Sequence, residues 1–186
     1  MTTGVTRLTL ISHGMTEAMR AARFPIDEPI ERITRDIAPD SAVSRADLVQ
    51  VGPEVRAAQT AGLLNLSGTT EPALRDLDSG RWAGSAMDAL APEDLMGWLS
   101  DPGYRGHGGE SVTEVIDRVR TWLRACAPLH RRVVAVTHPA VIRASVLVAL
   151  SAPPESFWRI DIPPLSATTL HGRGPAWTLR HTANPL

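Results

Sequence analysis

The sequence predicts a three-layer α/β domain, with helices on both faces of a mainly parallel sheet and an antiparallel hairpin at its C-terminal edge. Three observations predict it. Short β-branched or leucine-rich runs alternate three times with helix-like stretches. A histidine or an arginine follows each run closely. The final residues alternate in polarity around a glycine-rich turn, unlike anything before them.

The first run, Val5 to Ile11, continues into a helical stretch from about Thr16 through Ala22. The second, Asp47 to Val51, leads into a helix that opens with Pro53, a residue suited to a first turn, and runs to about Leu64. The third, Val133 to Thr137, precedes a helix from Pro139 to Leu150. Before it, Glu110-Ser111 introduces an amphipathic helix to about Ala125, with Val112, Val115, Val119 and Leu123 on one face. Short apolar runs suit strands buried on both sides, and strand-helix alternation implies right-handed parallel crossovers. Ser166 to His171 and Ala176 to His181, joined by Gly172-Arg173-Gly174-Pro175, read as a hairpin. No repeat, low-complexity tract or Gly/Ser linker divides the chain, so residues 1–186 are expected to form one domain.

Composition removes several function classes. A formal net charge of −1 supplies no basic field for nucleic acid or an anionic membrane. All 19 basic residues are arginine, which excludes Schiff-base lysine chemistry and the lysine-bearing phosphate loop of NTPases. Cys126 is the single cysteine, so neither an intramolecular disulfide nor a cysteine-rich metal site is available. Its helical setting reads as that of a buried structural thiol. Met1-Thr2-Thr3-Gly4 lacks a secretion signal's basic start, and the longest apolar run, Val146 to Leu150, is too short to span a bilayer. A soluble cytoplasmic protein with no nucleic-acid or membrane partner is expected; its oligomeric state is not legible.

The chemistry gathers at strand ends. His13 follows the first strand, Arg56 the second and His138 the third. Open α/β sheets bind ligands beyond the carboxyl ends of their strands, where helix N-termini add partial positive charge. Each residue alone has an ordinary reading. A histidine before glycine is a common turn residue, His138 before Pro139 can cap a helix, and Arg56 can make a surface salt bridge. Arg56 is the most telling of them, because the macrodipole disfavours a cation at a helix start without an anion to balance it. Together the three suit a phosphate.

Five segments then resemble the motifs of the histidine phosphatase (phosphoglycerate mutase-like) superfamily, in family order. Leu10-Ile11-Ser12-His13-Gly14-Met15-Thr16 is similar to its Arg-His-Gly-x-Thr signature. Pro53 to Ala61 resembles the Ser-x-x-x-Arg-Ala-x-Gln-Thr-Ala helix, with Gly52 at the serine position. Leu74 to Gly84 resembles Leu-x-Glu-x-x-x-Gly-x-Trp-x-Gly, Gly109-Glu110-Ser111 a helix start, and Val134 to His138 with Ile142-Arg143 the second-histidine strand and helix. The resemblance implies a phosphoglycerate mutase-like fold and a phosphomonoester hydrolase acting on a small phosphorylated metabolite. His13 would attack phosphorus and carry the phosphoryl group, splitting one hard hydrolysis into two easier steps. Arg56 would clamp the phosphoryl oxygens and His138 stabilise transition-state charge. Ser12 and Thr16 fall at substrate-contacting positions of the signature. A carboxylic acid must protonate the leaving oxygen. Asp76 aligns with the family's acid and Glu110 is the second candidate, while a turn aspartate and a dipole-complementing glutamate are their plainer readings. The resemblance implies no metal and no organic cofactor.

Three positions depart from the pattern. Ser12 replaces an arginine, offering one neutral hydrogen bond in place of a charged fork. Met19 replaces a polar residue, and Pro139 removes a backbone N–H. Arg20, two helical turns after His13, is a candidate replacement cation, or else part of a solvated face. Residues 85–108 are expected to cover the site, with Trp98, Tyr104, Arg105 and His107 as possible contacts. Two further readings stand beside hydrolysis: a catalytically impaired relative that binds an anion or a partner, and a mutase-type phosphoryl transfer.

Overall fold

The computed structural model describes residues 4–33, 37 and 41–186. Its elements are strand β1 (Thr6–Ser12), helices α1 (Glu17–Arg20) and α2 (Ser41–Ser44), β2 (Leu48–Val51), α3 (Val55–Leu63), β3 (Thr69–Thr70), α4 (Pro92–Ser100), α5 (Val112–Cys126), β4 (Arg132–Thr137), α6 (Pro139–Leu150), β5 (Ser166–Arg173) and β6 (Ala176–Pro185). The strands form one six-stranded sheet in the order β3-β2-β4-β1-β5-β6. β3, β2, β4 and β1 pair in parallel, while β5 is antiparallel to β1 and β6 to β5. This is the mainly parallel sheet with a C-terminal hairpin that the sequence predicts. Gly174 opens the hairpin loop at a φ of +57°, a conformation that favours glycine.

β4 explains the layering. Val133 and Ala135 face a core built with Leu8, Leu10, Val115, Val119 and Leu123, plus Ile142, Leu147 and Phe157. Val134 and Val136 face the opposite way, against Ile11, Val51, Ala57, Ala61 and Leu64. Side chains alternate across a strand, so one run of valines supplies both cores, with α5 and α6 covering one face and α3 the other. A third cluster, Phe24, Trp82 and Trp98, lies apart and draws in Met87, Tyr104 and Trp158. It gathers much of segment 85–108 around aromatic rings rather than around the sheet.

Register then fixes the active edge. Ser12 pairs with Thr137, and Val51 with Val136, so three parallel strands stop at one level. The pairing runs a residue further through the His13 N–H to the Thr137 carbonyl (3.0 Å) and the Gly52 N–H to the Val136 carbonyl (2.9 Å). Two helices differ from expectation. α1 spans only Glu17–Arg20, because Ala22 turns the chain at a φ of +49°. α3 begins at Val55 rather than Pro53, with Glu54 extended at its N-cap. Among the described residues no helix is long and apolar enough to cross a membrane.

Candidate active site

His13, Arg56 and His138 converge beyond this edge, each almost wholly buried, and Asp76 joins them from the loop after a short 3-10 turn at Pro72–Leu74. The two imidazole rings stand 5.1 Å apart, edge to face. Nδ1 of His13 lies 2.7 Å from the Gly14 carbonyl oxygen. A carbonyl only accepts, so Nδ1 carries the hydrogen and the neutral ring keeps its lone pair on Nε2. Burial, and then the charge of His138, drive the His13 imidazole down to about 4, against the smaller opposing effects of Asp76 and the Gly14 carbonyl. Near neutral pH His13 is therefore an uncharged base with a free nitrogen.

His138 is the N-cap of α6, and Pro139 occupies the first helical turn, where a missing N–H costs nothing. Its Nε2 donates to Glu54 Oε2 at 2.7 Å, while Nδ1 stands 3.5 Å from Asp76 Oδ2. A protonated ring would thus have a carboxylate at each nitrogen. The other Glu54 oxygen accepts from the Asp76 N–H at 2.9 Å. Burial tends to raise the Glu54 carboxyl, but its bond to His138 and that ring's charge outweigh it and hold it below the usual range. Gly52 makes room for this contact. A Cβ there would stand 3.0 Å from the Leu74 carbonyl oxygen and 3.1 Å from His138 Nε2.

Arg56 points its fork inward. Nη1 donates to the Ile26 carbonyl at 2.8 Å and Nη2 to Asp76 Oδ2 at 2.7 Å. The Asp76 carboxyl also accepts from the Leu77 N–H. Desolvation pushes Asp76 upward; the charges of His138, Arg56 and His13 prevail and hold it below its ordinary value. Three of the five unpartnered buried side-chain atoms among the described residues are Ser12 Oγ, Arg56 Nε and His138 Nδ1. All three can donate. Buried donors without partners are costly, and an anion beside Arg56 and His138 would satisfy those two. Ligand atoms of His13, Asp76 and His138 also lie within 4.8 Å of one another, a spacing that a metal ion could use. Such an ion would have to take the Asp76 oxygen from Arg56 and sit beside its guanidinium, so the charge balance favours an anion.

The other sequence candidates divide between the cavity wall and positions outside it. Thr16 lines the cavity above His13 and caps α1 by accepting from the Met19 N–H. Ser12 is fully buried at the end of β1 and is not part of the cavity wall. Arg20 points away. Its side chain is 66% exposed and its Nε donates to Glu31 at 2.7 Å. The short α1 starts at Glu17, so His13 is not on that helix and two-turn spacing from it has no meaning. Glu110 is bound by Arg75 (2.9 Å) and Arg118 (2.7 Å), outside the cavity. Within 85–108, Trp98 lines the cavity; Tyr104 bonds Asp94, Arg105 pairs with Glu114 and His107 accepts from the Gly109 N–H. Glu54 is the residue that the sequence reading missed.

The model of the histidine phosphatase superfamily (branch 1) matches residues 8–185, and the chain belongs to that superfamily. Among its relatives, glucosyl-3-phosphoglycerate phosphatase from Mycolicibacterium vanbaalenii is 28% identical over 175 residues, covering 82% of this chain and 78% of that protein. The structure of a mycobacterial glucosyl-3-phosphoglycerate phosphatase complexed with VO3 aligns with a TM-score of 0.81 and 25% identity, over 96% of this chain and 98% of the other. A phosphoserine phosphatase mutant from Entamoeba histolytica, bound to phosphoserine, shares the fold at a TM-score of 0.79 and 20% identity, over 96% of each chain.

Proposed function

We propose that the chain hydrolyses a small phosphomonoester through a phosphohistidine on His13. The observation that carries this reading is the His13 tautomer: Nδ1–H tied to Gly14 leaves a neutral Nε2 lone pair among unpartnered donors. Ester phosphate would enter with Arg56 and His138 on its oxygens. Nε2 attacks phosphorus as the P–O bond to the leaving group breaks, and Asp76 gives that oxygen its proton. Water then attacks, Asp76 takes a proton back, and breaking the N–P bond returns His13 neutral with inorganic phosphate released.

Asp76 rests as a carboxylate on Arg56, so it must gain a proton before it can act as an acid. An arriving phosphate dianion supplies the cause. It draws Arg56 to itself and puts negative charge beside Asp76, and both effects raise the carboxyl. Segment 85–108, whose Met87 and Trp98 line the cavity, would act as its cover. Small-metabolite phosphatases among the relatives agree with this class of substrate.

The test is turnover of p-nitrophenyl phosphate with assay for acid-labile phosphate on the protein. His13→Ala is expected to lower turnover about a thousandfold or more and to abolish the phosphoenzyme. The acid limb of phosphoenzyme formation that belongs to His13 should fall at about pH 4, not near 6.5. Wild-type rate in the variant would sink the proposal. Phosphate binding without turnover in the wild type would favour the impaired relative, and transfer to an added hydroxyl a mutase.

A further inference from the structure

The cavity over His13 and Asp76 has a volume of about 460 Å³, much more than a phosphoryl group needs, so most of it is left for the rest of the ester. Its far wall is largely apolar, with Met19, Phe24, Met87, Trp98, Trp158 and Ile162. One cation is built into that wall. Arg143 lies in α6, five residues after His138, and is half-buried. Its Nε donates to the Ile160 carbonyl at 2.8 Å, and its guanidinium carbon stands 5.4 Å from the centre of the Trp158 ring and 5.9 Å from that of Phe157. One hydrogen bond and two ring faces therefore fix its plane.

What Arg143 lacks is a carboxylate in contact. Among the described residues it makes no ion pair, and Nε to Ile160 is its one hydrogen bond. Its terminal amino groups are neither bonded nor sealed from solvent, and the residue lines the cavity. Burial lowers the guanidinium's proton affinity, while the charges of Asp161 and Asp76 work to keep it protonated. A half-desolvated, immobilised cation with both amino groups free costs stability unless a ligand completes it.

We infer that Arg143 binds a carboxylate on the leaving group, which makes the substrate a phosphomonoester of a hydroxy acid. The inference rests on the phosphomonoesterase reading above and adds its substrate class. A planar fork matches the two oxygens of a carboxylate through parallel N–H bonds. A second phosphate fits less well, since it brings two charges to one half-buried cation beside the exposed Asp161 carboxylate. The apolar wall takes the carbon skeleton between the two anchors. Arg143 thereby selects the substrate, and Arg56 holds the group that reacts.

The experiment compares phosphate monoesters of straight-chain hydroxy acids of graded length, 3-phosphoglycerate among them. Each is set beside the alcohol of equal length that lacks the acid, such as glycerol 3-phosphate, with p-nitrophenyl phosphate as the reference. Wild type is expected to favour the best acid over its alcohol by about tenfold or more in kcat/KM. Arg143→Gln should erase that preference through KM, and Arg143→Lys, which keeps the charge without the fork, should retain part of it. p-Nitrophenyl phosphate turnover should stay within about twofold in both variants. Equal losses on all three classes would assign Arg143 to the phosphoryl group or the fold and overturn the inference. So would a wild type that ignores the carboxylate, a result that needs no variant to fold. Calorimetric binding of the same pairs to His13→Ala separates the two readings: a binding preference for the acid without any phosphoenzyme in the wild type would keep Arg143's role and sink the hydrolase.

Discussion

At the strand-end side of the cavity, His13 and Gly52 extend ladders of a parallel sheet, and His13, Arg56, Asp76 and His138 are each tied to backbone or to another ion. The opposite wall draws on α1, α4, α6, 3-10 turns and loops, and its aromatic rings pack against one another. Phosphorus chemistry tolerates little misplacement, whereas a leaving group need only be enclosed. The first region belongs to the sheet's geometry. The second belongs to irregular segments whose residues can change without moving the reacting atoms.

Substitutions on the strand-end side should therefore alter kcat, and those outside it should alter little. The largest effect after His13 belongs to Asp76→Asn, expected to slow alkyl phosphate turnover about a hundredfold and nitrophenyl phosphate less, since a good leaving group needs less protonation. Glu110→Gln should leave both nearly unchanged, because Arg75 and Arg118 hold that carboxylate outside the cavity. The reverse pattern would hand the acid's role to Glu110. Glu54→Gln comes next. It loses the charged acceptor on His138 Nε2, and kcat should fall about tenfold with KM nearly constant. A rise in KM at unchanged kcat would instead make Glu54 a binding group. Arg20→Ala should do least. Inhibition by inorganic phosphate is expected to stay within about twofold, since the residue pairs with Glu31 in solvent. A clear loss of phosphate affinity would return Arg20 to the site.

The sequence was most legible where local pattern and site coincide. His13 and His138 each end a valine- or leucine-rich run, and the parallel register alone brings them together. Arg56 was visible through its place at a helix start. Glu54 was hidden because its partner, His138, lies 84 residues away, and a glutamate beside a helix N-terminus already has a sufficient reason to be there. Its spacing of two residues from Arg56, at the start of the same helix, was the signal available. Arg20 misled because helical periodicity was projected back over residues that are not helical. Arg143 could be aligned, yet its lack of a contacting carboxylate is a property of the folded cavity and not of neighbouring letters.

α3 carries Arg56, and its N-cap Glu54 grips both His138 and the backbone of Asp76. One turn on, Thr60 Oγ1 donates to the Arg56 carbonyl and accepts from the Gly14 N–H, next to His13. One short helix is thus the common jig against which nucleophile, clamp, acid and second histidine are all gauged. Because those bonds all run to α3, a shift of that helix would carry its dependants along and change their separations less than their positions. Tolerance is thus set largely within a single part, and the aromatic wall can vary around it without detuning the reaction.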